Sequence, residues 1–233
     1  MNVTLAIPAQ DEESFIEETV EGAEKTLSTI DLINSYEIII SEGGSTDNTK
    51  SICRNLDETS SSIKYLDLED LQGKGRAIEE AFKNSDNEYF LFIDADGAIS
   101  TDEFRPMLES LKFYDIVIGS RKSPEVDIGI LRGIASNLFN YGVNFLFSSN
   151  IDDHQCGFKG FRRSEVKDIL NDLESQHWFW DTELIIKAQS YGKDIETLEI
   201  EWEEKGDSKV DLISDGFYFS RKLVELRIRK WSN

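Results

Sequence analysis

Asp94-Ala95-Asp96-Gly97 sets two carboxylates two residues apart, directly after the apolar run Tyr89-Phe90-Leu91-Phe92-Ile93. Such a run reads as a buried strand, so the acidic pair stands at a strand C-terminus. Carboxylates this close repel each other unless a cation or a proton lies between them. Mg²⁺ or Mn²⁺, hard cations that take oxygen ligands and bridge substrate phosphates, suit the pair. A second loop, Glu42-Gly43-Gly44-Ser45-Thr46-Asp47, also follows an apolar strand. Its glycines allow close backbone approach, and Asp47 is placed to cap the next helix. Solvated loop acids and a capped turn are the structural alternatives for these two loops. Gly73-Lys74-Gly75-Arg76 resembles a phosphate-cradling helix start but lacks P-loop spacing and its Ser/Thr. No G-x-G-x-x-G follows the first strand, which counts against a dinucleotide fold.

The elements that must position these loops alternate. Strands are expected at Val3–Ala9, Tyr36–Ile40, Ile63–Leu68, Glu88–Ile93 and Asp115–Ile118. Helices are expected over 12–30, up to about Leu56, from Gly73 through Phe82, and from about Thr101. Ile16, Val20, Ala23, Leu27 and Ile30 carry the helical spacing of the first. The second half is less regular, with a strand near 157–161 and helices near 163–172 and 180–191. This alternation predicts an α/β fold with a mostly parallel central sheet flanked by helices, and ligands at the strand C-termini. With only three prolines, no repeat and no linker, residues 1–233 read as one domain.

Composition narrows the function. Lys and Arg number 25 against 46 Asp and Glu, a net charge of −21, which repels nucleic-acid phosphates and excludes that partner. Cys53 and Cys156 are far apart and form no C-x-x-C pair, so reduced cytosolic thiols are expected rather than a disulfide or zinc site. The opening Asn2-Val3-Thr4-Leu5-Ala6-Ile7 is too short and uncharged for a signal peptide. His154 and His177 lack triad spacing to a Ser or Cys and are given supporting roles.

Two segments have a different character. Gly133 to Ile151 carries no charge in a chain that is 30% charged. Asn137, Asn140 and Asn144 line one helical side, and Ile130, Ile134, Leu138, Tyr141 and Phe145 another. The polar residues argue against a membrane span, and the pattern fits an amphipathic helix near 129–149 at a membrane surface or packed on the domain. Near 216–231, Phe217, Arg221, Val224, Ile228 and Trp231 recur at helical spacing, widened by Phe219, Leu223 and Leu226. Arg221, Lys222, Arg227, Arg229 and Lys230 make this stretch basic, which suits anionic lipid headgroups or, equally, compensates a helix dipole.

The ordered set Pro8-Ala9-Gln10-Asp11-Glu12, Glu42 to Asp47, Gly73-Lys74-Gly75, Asp94-Ala95-Asp96 and Gly119-Ser120-Arg121 resembles family 2 glycosyltransferases of the GT-A fold. Asp153-His154-Gln155-Cys156-Gly157-Phe158-Lys159, Trp180-Asp181-Thr182-Glu183-Leu184 and Trp202 to Lys209 look like the polyprenyl-phosphate sugar synthases. The dolichyl-phosphate glucosyltransferase branch is closer than the mannose branch. The resemblance implies an inverting hexosyltransferase that moves a hexose, glucose favoured, from a nucleotide sugar such as UDP-glucose to dolichyl or polyprenyl phosphate, for glycoprotein or envelope glycan assembly. It implies Mg²⁺ or Mn²⁺ and a peripheral place on the cytoplasmic face of a membrane. By position, Pro8, Gln10, Glu12 and Glu42 line the donor nucleotide pocket, with Lys74 and Asp94 also on the donor. Asp94 and Asp96 hold the metal, Asp96 directly. Arg121, Arg132 and Ser136 hold the acceptor phosphate. Asp96, Asp181 and Lys209 form the catalytic set, Lys209 facing phosphate and Asp181 standing where relatives that glycosylate hydroxyls keep a base. Three positions depart from the pattern: Asp11 replaces an Asn, Glu42-Gly43 replaces Asp-Asp, and Ala98 replaces the Gln of the mannose branch.

A phosphomonoester with a second pKa of roughly 6 is mostly a dianion at neutral pH and needs little deprotonation before it attacks. Joining it to an anionic donor instead requires positive charge at the site. The competing readings are a soluble family 2 transferase with a hydroxyl acceptor, a sugar nucleotidyltransferase, and a non-enzymatic nucleotide-sugar sensor.

Overall fold

The computed structural model describes residues 1–69, 73–121, 130–203, 205 and 214–232, with no side chains given for 130–137, 214–217, 220 and 229–232. Lys209 therefore lies outside the described residues, and Arg132 and Ser136 are placed only as backbone.

The five expected strands form as β1 (Asn2–Ala9), β2 (Ser35–Glu42), β3 (Ile63–Asp67), β4 (Tyr89–Phe92) and β5 (Ile116–Arg121). They are joined by α1 (Ile16–Leu27), α2 (Thr49–Thr59), α3 (Lys74–Lys83), and a short 3₁₀ turn that leads into α4 (Phe104–Ser110). The second half adds α5 (Ile130–Phe147), β6 (Lys159–Arg162), α6 (Arg163–Asn171), α7 (Trp180–Ser190), β7 (Ile195–Ile200) and α8 (Ser214–Ser232). One sheet of order β3-β2-β1-β4-β6-β5-β7 takes in all seven strands. β6 runs antiparallel to both neighbours, and the other pairings are parallel.

The central strands are apolar on both faces because helices cover both. Leu5, Ile7, Ile38 and Leu91 pack with Ile16 and Val20 of α1 and Phe104 of α4. Ala6, Ile39, Phe90 and Phe92 pack with Ile78 of α3 and with Trp180 and Leu184 of α7. A third cluster joins Val143 and Phe147 of α5 to Phe219, Leu223 and Leu226 of α8, over Phe179 and Ile186. Cys53 and Cys156 are free and buried, and burial pushes each thiol up to about 12.

Three features differ from the sequence expectation. First, α1 starts at Ile16 rather than Glu12, because residues 11–13 are tied to the loop after β2. Asp11 N–H donates to Ser45 Oγ (3.0 Å), Thr46 N–H to Asp11 Oδ1 (2.7 Å) and Glu12 N–H to Thr49 Oγ1 (2.8 Å). Asp11 takes a positive φ of 53° to do this, a conformation that Asp tolerates better than most residues. Second, the strand β7 had no sequence expectation: half-exposed at the sheet edge beside β5, it lacks the apolar run of the inner strands. Third, the antiparallel direction of β6 brings its first residue, Lys159, opposite Phe92 at the end of β4. The Cys156–Lys159 stretch thereby enters the sheet beside the acidic pair.

α5 is a helix as expected, and its sidedness is now plain. Asn140 faces inward, where its Oδ1 accepts from His154 N–H (3.3 Å) and from His154 Nδ1 (2.8 Å). Asn144 donates to Ile151 O (3.1 Å). Leu138, Tyr141 and Phe145 point outward, 69%, 70% and 77% exposed. Among the described residues no helix is long and apolar enough to cross a membrane.

Candidate active site

The ends of β1, β2 and β4 form one edge. Pro8 pairs with Ser41 and Ala9 with Glu42, so Pro8, Gln10 and Glu12 emerge beside the loop that begins at Glu42. Glu42 itself is buried. Its carboxylate accepts from Ser45 N–H (2.8 Å) and Tyr65 OH (3.0 Å) and so shapes the loop. Burial, together with the bond to Glu42, raises the Tyr65 hydroxyl above its ordinary range. Asp47 braces the start of α2, its Oδ1 accepting from Thr49 N–H (2.9 Å).

On the β4 side, Asp94 Oδ1 meets Lys74 Nζ at 2.5 Å. A Cβ placed on Gly157 would lie 1.8 Å from Asp94 Oδ2, so this carboxylate fits only because residue 157 has no side chain. Asp96 Oδ1 accepts from Ala98 N–H (3.0 Å), and Gly97 makes the turn at φ 66°. Burial and then the charge of Asp94 hold the Asp96 carboxyl above the usual range. Two neighbouring carboxylates, one of them buried and repelled by the other, fit a hard divalent cation that takes its other ligands from substrate phosphates and water. Among the described residues no group of three or more His, Cys, Asp or Glu side chains forms a metal site.

Behind Asp94 lies a buried chain of alternating charges. Lys74 Nζ is 3.7 Å from Asp181 Oδ2, and Lys159 Nζ is 2.7 Å from Asp181 Oδ1. Lys159 also donates to Cys156 O (2.5 Å). The two ammonium groups lie 5.6 and 5.5 Å from the centre of the Phe92 ring, and Lys74 is 5.7 Å from that of Trp178. Burial pushes Lys74 toward neutrality, and the charges of Asp94 and Asp181 outweigh it and keep the ammonium protonated. α3 reaches this point because Gly75 leaves room for Trp180: a Cβ there would sit 2.3 Å from that ring.

Arg121, at the end of β5, forms a two-pronged pair with Asp153: Nε to Oδ2 at 2.7 Å and Nη2 to Oδ1 at 2.9 Å. Its guanidinium carbon lies 5.6 Å from the centre of the Trp202 ring. Burial works against the Asp153 charge, yet the Arg121 bonds hold that carboxyl below its usual range. Beside Asp96 opens a cavity of about 670 Å³, walled by Thr19 of α1, by Ser100 and by Trp202, Glu203 and Lys205.

The structure thus brings together Asp94, Asp96, Lys74 and Asp181. It sets Arg121 at the end of β5, two strands from β4 in the sheet, and Pro8, Gln10, Glu12 and Glu42 along the adjoining edge. Sequence reasoning passed over Lys159, Gly157, Asp153 and Tyr65 as working residues. The Asp153–Lys159 segment had been singled out, but only the antiparallel entry of β6 assigns its members to Asp94, Asp181 and Arg121.

The profile of glycosyl transferase family 2 matches residues 4–170. The chain belongs to glycosyl transferase family 2. Within this family it is 34% identical over 219 residues to the glycosyltransferase AglD of Haloferax volcanii, covering 92% of this chain and 35% of that protein. It is also 32% identical to the dolichyl-phosphate beta-glucosyltransferase of Dictyostelium discoideum, covering 97% of this chain and 74% of that one. The chain therefore spans about a third of the archaeal relative and about three quarters of the amoebal one. Among solved structures, glucosyl-3-phosphoglycerate synthase from Mycobacterium tuberculosis, in complex with Mn²⁺, UDP and phosphoglyceric acid, superposes with a TM-score of 0.70. That match covers 96% of this chain and 76% of the other at 15% identity, a likeness of fold. The family 2 chain has the GT-A architecture that the sequence resemblance implied.

Proposed function

We propose that this protein is an inverting hexosyltransferase that moves glucose from UDP-glucose to a polyprenyl phosphate of the dolichyl type, working peripherally on the cytoplasmic face of a membrane. The observation that carries the reading is the meeting of the acidic pair Asp94 and Asp96 with the cations Lys74 and Arg121 at the C-terminal edge of one sheet. The names of the relatives favour glucose and a dolichyl phosphate.

The donor would lie along the edge from Pro8 to Glu42, its diphosphate toward Asp94 and Asp96, which would hold Mg²⁺ or Mn²⁺. When bound, the cation supplies positive charge against the departing diphosphate. Lys74 offsets the charge of Asp94 and stands beside the diphosphate. Arg121, oriented by Asp153 and backed by Trp202, would bind the acceptor phosphate, a role that the family resemblance extends to Arg132, Ser136 and Lys209. An acceptor phosphate oxygen attacks the sugar C1 and forms the new C–O bond. The bond from C1 to the donor diphosphate breaks, and its electron pair leaves with UDP. The attack from the opposite side inverts C1. Because the acceptor arrives ionised, no side chain has to take a proton from it. Asp181 is buried, with both carboxylate oxygens turned toward lysines, which suits a supporting role better than that of a base.

The outer face of α5 supports the lipid acceptor. Leu138, Tyr141 and Phe145 stand exposed, as do Val224 and Ile228 of α8. The contacts Phe139–Phe219 and Phe147–Arg227 advance together, so the two helices run in the same direction with their apolar residues at similar levels. Arg221, Lys222 and Arg227 give α8 the cations that anionic headgroups attract.

The test is to incubate purified protein with Mn²⁺, dolichyl phosphate in detergent and labelled UDP-glucose, GDP-mannose or UDP-N-acetylglucosamine in parallel. Label entering the organic phase from UDP-glucose, and not without metal, is the expected result. Label entering only from another donor would correct the sugar. UDP release with a hydroxyl compound but not with the lipid phosphate would overturn the acceptor.

A further inference from the structure

Lys159 is fully buried, an unusual position for an ammonium group, and it sits at the start of β6, which runs antiparallel to both its neighbours. Desolvating an ammonium is costly unless its partners are well placed, and a neutral pair of similar volume is often as stable. Stability alone is therefore a weak reason for a lysine here. Its two partners lead to the same atom group by separate routes. Through Asp181 Oδ1 (2.7 Å) it fixes a carboxylate whose other oxygen faces Lys74 (3.7 Å), and Lys74 contacts Asp94 Oδ1 (2.5 Å). Through Cys156 O (2.5 Å) it fixes the backbone that runs into Gly157, and Gly157 packs directly on Asp94 Oδ2. One oxygen of Asp94 is thus bounded by Lys74 and the other by Gly157, and both are tied back to the same ammonium.

Resting on the functional reading above, we propose that Lys159 is the positioning residue of this active site: it sets Asp94 from both sides, through Asp181–Lys74 and through Cys156–Gly157, for metal-dependent grip on the donor diphosphate. Asp181 then serves as the tether between two lysines. The proposal locates the effect of Lys159 in the metal-dependent part of nucleotide binding, since Asp94 is the end of both routes. Contacts to the base along the Pro8–Glu42 edge are left as they are.

The test uses Lys159→Met and the neutral pair Lys159→Met/Asp181→Asn, because the single variant strands a buried carboxylate and folds less well. UDP binding is measured by calorimetry with and without Mn²⁺, beside thermal melting and the kcat and KM of transfer to polyprenyl phosphate. The double variant is expected to melt close to wild type, yet to bind UDP in Mn²⁺ roughly 10–100-fold more weakly, the scale seen when groups supporting metal ligands are lost. Its UDP affinity without Mn²⁺ should stay within about twofold of wild type, the two routes ending at Asp94. A double variant that melts like wild type and keeps full Mn²⁺-dependent UDP affinity and kcat would show that Lys159 only neutralises Asp181, and would overturn the proposal. Equal losses with and without Mn²⁺ would overturn it too. Wild-type protein that binds no UDP even with Mn²⁺ would instead overturn the functional reading beneath it.

Discussion

Around Asp94 the protein buries charge, and along α5 and α8 it exposes apolar surface. Both regions run against the usual sorting of side chains, and neither arrangement favours stability by itself. Inside, the cations Lys74 and Lys159 are balanced by the carboxylates Asp181 and Asp94, in a chain that ends beside Asp96. Outside, Leu138, Tyr141 and Phe145 face water while Asn140 and Asn144 use the inner side of the same helix to anchor the His154 loop. The first region asks for phosphate and a cation, the second for hydrocarbon. On the function proposed above, one lipid phosphate acceptor would account for both exceptions together.

Perturbations of the two regions should therefore separate. The largest effect is expected from Asp96→Ala, which removes the carboxyl that burial and the charge of Asp94 hold above the usual range. Turnover should fall by up to roughly 10³-fold, the upper end for losing one preorganised electrostatic group, with membrane partition unchanged. Gly157→Ala comes next. Its new Cβ would displace Asp94, and a shift of about 1 Å at a reacting site costs on the order of 10²-fold in rate, to be read from kcat.

On the other side of the comparison, Leu138→Glu/Phe145→Glu should weaken partition to liposomes ~30-fold, equivalent to about 2 kcal/mol of lost apolar burial. UDP binding should stay as in wild type, since both side chains are exposed. Unchanged liposome partition would remove the docking face from the account. The effect with the least consequence for turnover concerns the anchor of α5 and is read in stability. Asn140 Oδ1 can only accept, so His154 Nδ1 carries the proton and Nε2 accepts from Ser149 Oγ (3.0 Å). Burial and then the charge of Lys159 depress this imidazole from 6.5 to about 4. The unfolded chain takes up a proton below its pKa of 6.5 while the folded chain stays neutral until about 4. Stability is therefore present above that range and falls as pH drops through it, by up to about 3 kcal/mol. Urea unfolding at pH 7 and 4.5 should show the loss in wild type and a smaller one in His154→Gln.

The two regions were not equally legible in the sequence. Strands β1 to β5 and the loops at their ends could be read because central parallel strands are continuous apolar runs, and such runs mark where a ligand-binding edge must lie. The apolar and polar sides of α5 were legible from spacing. Which side faces inward was not, because an asparagine stripe buries only where partners such as the His154 backbone await it. The buried chain of charges was the least legible. Asp181 and Lys159 are 22 residues apart, and Lys74 is drawn from a third element. The antiparallel entry of β6 brings them together, and strand direction leaves no mark in residue spacing. β7 was missed for a related reason, since an edge strand with one half-exposed face carries too few apolar residues to stand out.

The most direct measurement compares two acceptors of the same chain length, polyprenyl phosphate and free polyprenol, in the same detergent with labelled UDP-glucose and Mn²⁺. Labelled lipid from the phosphate alone, abolished by EDTA, is the result expected of a site that supplies cations and no base. Equal or faster labelling of the free alcohol would contradict the account, because Asp181 would then have to leave its lysines and act as a base.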